Sequence, residues 1–543
     1  MTGRALRVMC FLAVLAVTAG MAVPFALSGQ AEGSAEDITR KCTIRVSEGD
    51  RDRLIDGSVR SNWTYSHPGA YVGVKMPEGV QAGWLRVEWF MEPAGFELIE
   101  FSADQTPLRT RTQQDTFPSI YGVFDLLSET KYVELKMTAE DQRVGTLAVY
   151  SAGALPRDVQ QWQPPVDKAD LMVVSTHQDD ELIFLGGTIP YYATALQKPT
   201  VVLYMANCGR YRREEALNAL WKMGVRNYPV FLNLKDDKVG SLNEGIKVWG
   251  GRDNILSLLV GRIRRFKPEV IVTQDLNGEY GHNQHKITAR AMKYAIDAAA
   301  DPQQYPDSAE LYGAWQVKKL YHHLYKENRI VMDWEKPLES LNGYTALQVA
   351  QIGMQEHASQ LKYYAVKSHG TYDNSKFGLY FTTVGEDVQK DDFLENIDPQ
   401  ASRTYLEEHA DEIARWKERE AQLALAPTLP PSQQTEPDPE AESPEADAPE
   451  GSEALSESAS APETGEDVPA ASEEAPLPAE ADSTPLSGKQ TSVGNGSAGR
   501  DGAAVLPLIM IGAGMAAVGL GAWYGFSVLR PGHRRRRGYR SGR

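Results

Sequence analysis

Between residues 171 and 300, short apolar runs alternate with longer segments of helical periodicity. The apolar runs predict strands at residues 171–175, 200–205, 230–234 and 270–273. The segments between and after them predict helices at residues 212–223, 253–266 and 285–300, and a further helix is predicted at 347–364. This alternation is typical of βαβ units and predicts an α/β domain with a parallel sheet over residues 166–398. Ligands of such sheets bind at the carboxyl ends of the strands.

A different pattern precedes this domain, over residues 37–152. Leu85, Val87 and Trp89 alternate with charged residues, as in a strand with one buried face. Further short alternating runs separated by Pro-Gly turns predict a small antiparallel β-sandwich. The runs 54–58 and 71–74, with Trp63 between them, resemble the opening of a discoidin-type (galactose-binding-like) domain. Two interpretations stay open: a carbohydrate-binding accessory module, or a packing domain without a ligand.

The two ends of the chain have the features of membrane targeting. Residues 1–31 carry Arg4 and Arg7, an uncharged stretch and then small residues, which predicts a secretory signal peptide. Residues 502–529 contain no charged residue over 28 positions, and about 20 apolar residues suffice for a transmembrane helix. Four consecutive arginines begin at Arg534, so residues 530–543 are predicted to be a cytoplasmic tail. We therefore expect a single-pass protein of a bacterial cell membrane, with its folded part outside the cytoplasm.

The segments between the α/β domain and the apolar span are charged or of low complexity. Residues 402–424 predict a helical stalk, and residues 427–500 predict a disordered linker rich in Pro, Glu, Ala and Ser. Residues 427–487 hold sixteen acidic and no basic residues, so they account for most of the net charge of -17. The remaining body is only moderately acidic, which gives no reason to expect a nucleic-acid partner. Cys42 and Cys208 are predicted to be free thiols.

The sharpest motif follows the strand at 171–175 directly. It reads His177-Gln178-Asp179-Asp180-Glu181 and is followed by a Gly-Gly-Thr run at 186–188. One imidazole and up to three carboxylates are thus concentrated at the carboxyl end of one strand. Neighbouring carboxylates repel one another, and a divalent cation would relieve that repulsion. A motif of this kind is by itself more often a solvated turn or a capped helix start.

A second motif follows the strand at 270–273. It reads Tyr280-Gly281-His282-Asn283-Gln284-His285 and leads into a predicted helix. Histidine and aspartate from the first loop with one histidine from the second would form a site of two imidazoles and one carboxylate, with positions left for water. Such a ligand set suits Zn²⁺, and Fe²⁺ would accept it too. Together, at two strand ends, the motifs favour a metal site.

These residues resemble the PIG-L/LmbE-like deacetylase family. The family pattern places His-Pro-Asp-Asp-Glu and Gly-Gly-Thr after a strand, then an Arg-x-x-Glu-Ala helix that ends in Leu-Gly-Val, and later Gly-His-x-x-His. Here the helix motif reads Arg212 to Ala216 and then Met223-Gly224-Val225, and the segment 356–360 is similar to a later family element. The resemblance covers residues 169–366 in the same order. It implies a Rossmann-like fold and hydrolysis of N-acetylated sugars.

The resemblance also implies roles for individual residues. His177, Asp180 and His285 would ligate zinc, Asp179 would be the general base, and His282 would face the oxyanion or the leaving amine as a cation. From its own place in the sequence, and not from the resemblance, Arg212 would bind a sugar hydroxyl or would only pair with Glu215 along the helix. His322, His323 and His357 are interpreted as structural. Glu181 is interpreted either as a residue that orients a histidine or as a helix-start acid.

Two departures from the family pattern stand out. Gln178 replaces the usual proline, and residues 207–210 (Asn-Cys-Gly-Arg) replace the family's Thr-x-Gly-Glu loop, which affects the substrate-binding part of the site. The function predicted on these grounds is a zinc-dependent N-deacetylase of an N-acetylhexosamine-containing glycan at the cell surface. The alternatives are a metal-dependent amidase acting on another acyl amide, and a catalytically silent glycan-binding surface protein.

Overall fold

The computed structural model describes residues 34–425, apart from residues 59 and 141. The predicted signal peptide, linker, transmembrane helix and cytoplasmic tail all lie outside these residues. Within them, no helix is both long and apolar enough to cross a membrane. Cys42 and Cys208 are both free, as predicted.

The N-terminal part is built from antiparallel strands in two sheets. The strands are β1 (Thr43–Val46), β2 (Tyr71–Lys75), β3 (Ala82–Trp89), β4 (Phe96–Phe101), β5 (Pro107–Thr112), β6 (Tyr121–Asp125), β7 (Tyr132–Met137) and β8 (Val144–Ser151). One sheet has the order β1-β2-β7-β4-β5 and the other the order β6-β3-β8. Leu85, Val87 and Trp89 of β3 are buried in a core that both sheets share. The predicted β-sandwich is therefore confirmed.

A seven-stranded sheet forms the second part of the described chain. Its strands are β9 (Leu171–Ser175), β10 (Thr200–Asn207), β11 (Val230–Lys235), β12 (Val270–Thr273), β13 (Lys319–His323), β14 (Arg329–Val331) and β15 (Lys376–Thr382), in the order β11-β10-β9-β12-β13-β15-β14. The first five strands of this order, β11, β10, β9, β12 and β13, run parallel to one another. β15 pairs antiparallel with both β13 and β14, so the sheet is mixed and not parallel throughout. An antiparallel addition at the edge of a parallel sheet is common in α/β folds.

Helices cover both faces of this sheet. They are α1 (Asp180–Ile183), α2 (Gly209–Lys222), α3 (Leu242–Val248), α4 (Arg252–Phe266), α5 (Asn283–Ala300), α6 (Pro306–Tyr312), α7 (Ala346–Met354), α8 (Ala401–Glu408) and α9 (Ala410–Leu425). α2 and α7 bury apolar residues against one face, and α4 and α5 bury theirs against the other. This arrangement confirms the predicted α/β domain and leaves the carboxyl edge of the parallel strands free for a site.

Two predicted helices differ from those in the structure. The helix predicted at 347–364 corresponds to α7, which already ends at Met354. The residues after Met354 leave the helix and make buried contacts with other parts of the domain. His357 is fully buried, and both the backbone N–H and the hydroxyl of Ser359 donate hydrogen bonds of 2.7 Å to the Glu215 carboxylate. The predicted stalk at 402–424 is α8 and α9, which pack against the α/β domain. Trp416 is 3% exposed, and Glu420 accepts hydrogen bonds from Arg265 and Tyr312, so the stalk interpretation is wrong for these residues.

The β-sandwich packs directly on α2. Arg210 pairs with Glu88 of β3 and donates a 3.0 Å hydrogen bond to the carbonyl of Trp89. Arg213, whose side chain is fully buried, pairs with Glu92 at 2.5 Å. A buried guanidinium requires such a partner, because an unpaired charge in the interior is strongly unfavourable. Arg210 belongs to the loop that departs from the family pattern, and its contact with the sandwich gives that departure a structural reason.

Candidate metal centre at the carboxyl edge of the sheet

The two motif loops meet at the carboxyl ends of β9 and β12, which are neighbours in the sheet. The side-chain oxygen of Gln274, just after β12, accepts a 3.0 Å hydrogen bond from the backbone N–H of Thr176, just after β9. This bond ties the first loop to the second. Segments that are 98 positions apart in the chain are thereby held within contact distance.

Three potential ligand atoms form a nearly equilateral triangle in this position. His177 Nδ1 lies 3.0 Å from Asp180 Oδ2 and 3.1 Å from His285 Nε2. His285 Nε2 lies 3.1 Å from the same Asp180 oxygen. Donor atoms of one tetrahedral Zn²⁺ with bonds of about 2.0–2.2 Å lie roughly 3.3–3.6 Å apart. The three donors therefore fit a single cation after a small outward movement.

The protonation of this triangle supports the same conclusion. Burial alone would lower the pKa of His177, but the Asp180 carboxylate raises that pKa to about 10. His285 is affected in the same way, and its pKa rises to about 9. Burial would raise the pKa of Asp180, but the two imidazoles hold it well below its usual range. Both imidazoles therefore hold a proton beside the Asp180 carboxylate. A divalent cation could take the place of these protons, because a histidine must be deprotonated to bind a metal.

Outer hydrogen bonds fix the orientation of both imidazoles. His285 Nδ1 lies 2.8 Å from Glu279 Oε2, and His177 Nε2 lies 3.0 Å from Gln284 Oε1. The other oxygen of Glu279 lies 2.8 Å from His323 Nδ1. Carboxylate and carbonyl partners of this kind set the tautomer and turn the remaining nitrogen toward a metal. His285 and His177 thus present Nε2 and Nδ1, respectively, to the triangle.

The side chains of Asp179 and Asp180 point in different directions, as separate roles require. Asp179 Oδ1 lies 2.7 Å from an Arg212 nitrogen, whereas Asp180 faces the two histidines. Asp179 has a φ of 146°, a conformation that is unfavourable for a residue with a side chain and is typical of functional sites. Burial and the neighbouring Asp180 raise the pKa of Asp179 to about 7. Its carboxylate is therefore a stronger base than that of an ordinary aspartate.

His282 lies beside the triangle. Its ring centroid is 4.9 Å from that of His177 and 4.6 Å from that of His285. Ligand atoms of these three histidines lie within 4.8 Å of one another, which offers a second, looser metal-binding group. We favour the triangle with Asp180, because it is tighter and supplies the negative charge that a cation needs. Burial and the two neighbouring imidazoles lower the pKa of His282 to about 4, which disfavours the cation expected from the sequence.

The remaining motif residues support the loop. Glu181 Oε2 accepts a 2.8 Å hydrogen bond from the backbone N–H of Asp179, and its other oxygen lies 3.3 Å from His357 Nε2. Arg212 donates a 3.1 Å hydrogen bond from Nε to the carbonyl of Gln178 and lies 3.8 Å from Glu215. Its main partner is Asp179, which neither interpretation of Arg212 included. A sugar-binding role for Arg212 stays a prediction.

Gln178 has a function that proline could not have. Its side-chain Nε2 donates a 2.8 Å hydrogen bond to the carbonyl of Ala206, and its Oε1 accepts a bond of 3.3 Å from Cys208 N. These bonds join the first loop to the end of β10. The side chain of Gln178 therefore fixes the first motif to the end of β10.

Several residues that complete the site were not predicted from the sequence. They are Glu279, Gln284, Gln274 and Asp236, and His323 was interpreted only as structural. Asp236 Oδ1 lies 3.5 Å from His177 Nε2 and follows β11 directly. The rule that ligands gather at carboxyl ends of strands could have drawn attention to Asp236. The acidic side chain of Glu279, immediately before the second motif, was a comparable signal.

The fold and the triangle define an α/β protein with a candidate metal centre at the carboxyl edge of its sheet. Residues 172–296 match the family model described as PIG-L: GlcNAc-PI de-N-acetylase. This part of the chain is therefore similar to PIG-L domains. It is 30% identical over 179 residues to a 1D-myo-inositol 2-acetamido-2-deoxy-alpha-D-glucopyranoside deacetylase of Geodermatophilus obscurus. That alignment covers 28% of this chain and 60% of the relative's length.

Solved structures resemble each part of the chain separately. The N,N'-diacetylchitobiose deacetylase of Pyrococcus horikoshii matches 37% of this chain and 74% of its own, with 16% identity and a TM-score of 0.28. A family 32 carbohydrate-binding module of Clostridium perfringens matches 22% of this chain and all of its own, with 10% identity and a TM-score of 0.19.

Proposed function

We propose that this protein is a zinc-dependent N-deacetylase that removes the acetyl group from an N-acetylhexosamine in a glycan or glycoconjugate. The observation that carries the proposal is the triangle of His177, Asp180 and His285, with the carboxylate of Asp179 beside it and turned away from it. The match to the PIG-L family model and the similarity to the Geodermatophilus deacetylase support deacetylation as the reaction.

In this proposal each residue of the site has one task. His177, Asp180 and His285 hold the cation. When bound, Zn²⁺ supplies Lewis acidity and lowers the pKa of water to about 7. Asp179 accepts a proton from the water that attacks the acetamide carbon, and Arg212 holds the Asp179 carboxylate in place.

His282 completes the proton path in this proposal. Because its surroundings favour the neutral form, it can receive a proton and deliver it to the nitrogen of the departing amine. A C–O bond forms and the amide C–N bond breaks, so acetate and a free amino sugar are the products. Fe²⁺ could occupy the same ligand set, since imidazole and carboxylate suit both metals.

We also propose that the reaction takes place at a bacterial cell surface. The support comes from the sequence alone: the signal-like residues 1–31, the uncharged residues 502–529 and the arginines that follow them. The acidic linker predicted at 427–500 would let the folded part reach glycans away from the membrane.

The direct test is an acetate assay with the purified full chain in detergent. N-acetylglucosamine oligomers should release acetate, a chelator should abolish the release, and added Zn²⁺ should restore it. Unchanged release after chelation would contradict the metal dependence. Absence of acetate from every N-acetylated sugar, with release of longer acyl groups from other amides, would instead assign the protein to the amidase alternative.

The Glu279→Gln variant tests the outer hydrogen bond to His285. We expect its zinc affinity to fall about 10–100-fold, because the neutral amide no longer orients and polarises the imidazole of His285 as a carboxylate does. A competition titration with a fluorescent zinc chelator measures this change. Glu244→Gln, at the first turn of α3, is the control and should bind zinc like the wild type. Equal affinity in both variants would contradict the proposed role of Glu279.

A further inference from the structure

Four tyrosines form a strip of aromatic rings that leads away from the candidate metal centre. Tyr280, in the second motif, has its ring centroid 5.6 Å from that of His285. It lies 6.3 Å from the Tyr364 ring at an interplanar angle of 19°, and 6.0 Å from the Tyr372 ring. Tyr363 continues the strip at 6.4 Å from Tyr364. We call these four residues the tyrosine strip.

Much of the strip is exposed to solvent. Tyr363 is 67% exposed, Tyr280 46% and Tyr372 36%. Adjacent exposed aromatic side chains are unusual on a protein surface without a partner, and a cluster of them marks a binding site. Tyrosine suits this task, because its ring packs on apolar groups while its hydroxyl remains in contact with polar ones.

The segment that carries three of these tyrosines is fixed at both ends to the candidate site. At its start, fully buried His357 lies 3.3 Å from Glu181, next to Asp180 in the first motif. At its end, the carbonyl of Asp373 lies 3.2 Å from His323 Nε2, and His323 shares Glu279 with His285. The position of the strip relative to the triangle is therefore set by buried contacts.

We propose that the tyrosine strip binds the sugar residues next to the one that is deacetylated, so that the substrate is an oligosaccharide or polysaccharide chain and not a single sugar. This inference rests on the proposed function. The strip is continuous with the site, since Tyr280 contacts both the strip and the metal-site histidines. The pyranose ring has apolar C–H faces that pack on aromatic rings and a rim of hydroxyls that suits the phenol groups. A row of rings therefore fits a row of sugars.

The test compares a chitin pentamer with the disaccharide as substrates of the zinc-loaded full chain. In Tyr363→Ala we expect the ratio of kcat/KM for the pentamer to that for the disaccharide to fall about five- to tenfold, as for the loss of one aromatic contact. In Tyr363→Phe the ratio should fall less than in Tyr363→Ala, because the ring remains and only the hydroxyl is lost. Tyr344→Ala, an equally small change at a tyrosine that is 51% exposed near the other end of α7, should also retain it.

An unchanged ratio in Tyr363→Ala would overturn the inference. If the wild type releases no acetate from either sugar, the proposed function fails, and direct binding of the pentamer decides the inference separately. Weaker pentamer binding in Tyr363→Ala than in wild type would then support the strip as a glycan site. Binding to phosphatidylglycerol vesicles that depends on Tyr363, without pentamer binding, would assign the strip to lipid and overturn the inference.

Discussion

Replacement of His285 with alanine is expected to remove both the bound metal and the activity of the enzyme. His285 Nε2 is one corner of the triangle, and it lies 3.1 Å from both other corners. Two remaining donors hold zinc far less tightly than three, and the charge stabilisation that a metal provides amounts to several kcal/mol. We therefore expect kcat/KM to fall by roughly a thousandfold or more. Metal analysis of the purified variant and the acetate assay measure the two effects.

The matched control for this variant is His67→Ala. His67 lies in the β-sandwich, and its side chain is 68% exposed, so its removal should leave metal content and turnover at wild-type levels. A His285→Ala protein that retains one zinc per chain would show that the cation is bound elsewhere. The alternative group of His177, His282 and His285 also loses a ligand here, so His282→Ala is needed to separate the two groups. Only the alternative group predicts metal loss in His282→Ala.

Replacement of Asp179 with asparagine is expected to leave the metal in place while turnover falls about 10²–10⁴-fold. General-base catalysis typically contributes this factor, and an amide cannot accept the proton. The metal should remain because the Asp179 carboxylate faces Arg212 and not the triangle. Single-turnover acetate release and metal content, measured on the same preparation, test both parts of the expectation.

Asp180→Asn is the contrasting variant for Asp179→Asn. We expect Asp180→Asn to lose metal, because it removes the only carboxylate of the triangle. Asp307→Asn, an exposed residue in the first turn of α6, controls for the loss of a negative charge alone. If Asp179→Asn loses the metal and Asp180→Asn keeps it, then Asp179 is the metal ligand and Asp180 is the base. Equal activity of Asp179→Asn and wild type would contradict the role of a base.

The sequence predicted the fold best where burial is uniform. β9 and β12 agree with the predicted strands residue for residue, because strands covered on both faces leave continuous apolar runs. β15 was not predicted, since its place between β13 and β14 depends on pairing with segments that are distant in the chain. The end of α7 was also missed. Its helical pattern continues past Met354, but the contact between Ser359 and Glu215 is stronger than the local preference.

The candidate site was predictable only as far as its residues are contiguous in motifs. The two motif loops contain the three triangle atoms and Asp179, and the rule for parallel sheets predicts that their strand ends meet. The partners of the histidines depend on which side chains face one another across loops. Glu279 bridging His285 and His323 is such a case, and so is the pairing of Arg212 with Asp179.

The helix α2 has a consequence for how this protein can be dissected. Two successive arginines on this helix pair with different parts of the protein. Arg213 pairs with Glu92 in the sandwich, whereas Arg212 pairs with Asp179 in the candidate site. A chain shortened to begin at residue 166 would lose Glu88 and Glu92, the carboxylates that hold Arg210 and Arg213 of α2 against the sandwich. Because Arg212 lies on the same helix and pairs with Asp179, removal of the sandwich is expected to disturb the candidate site as well as the fold.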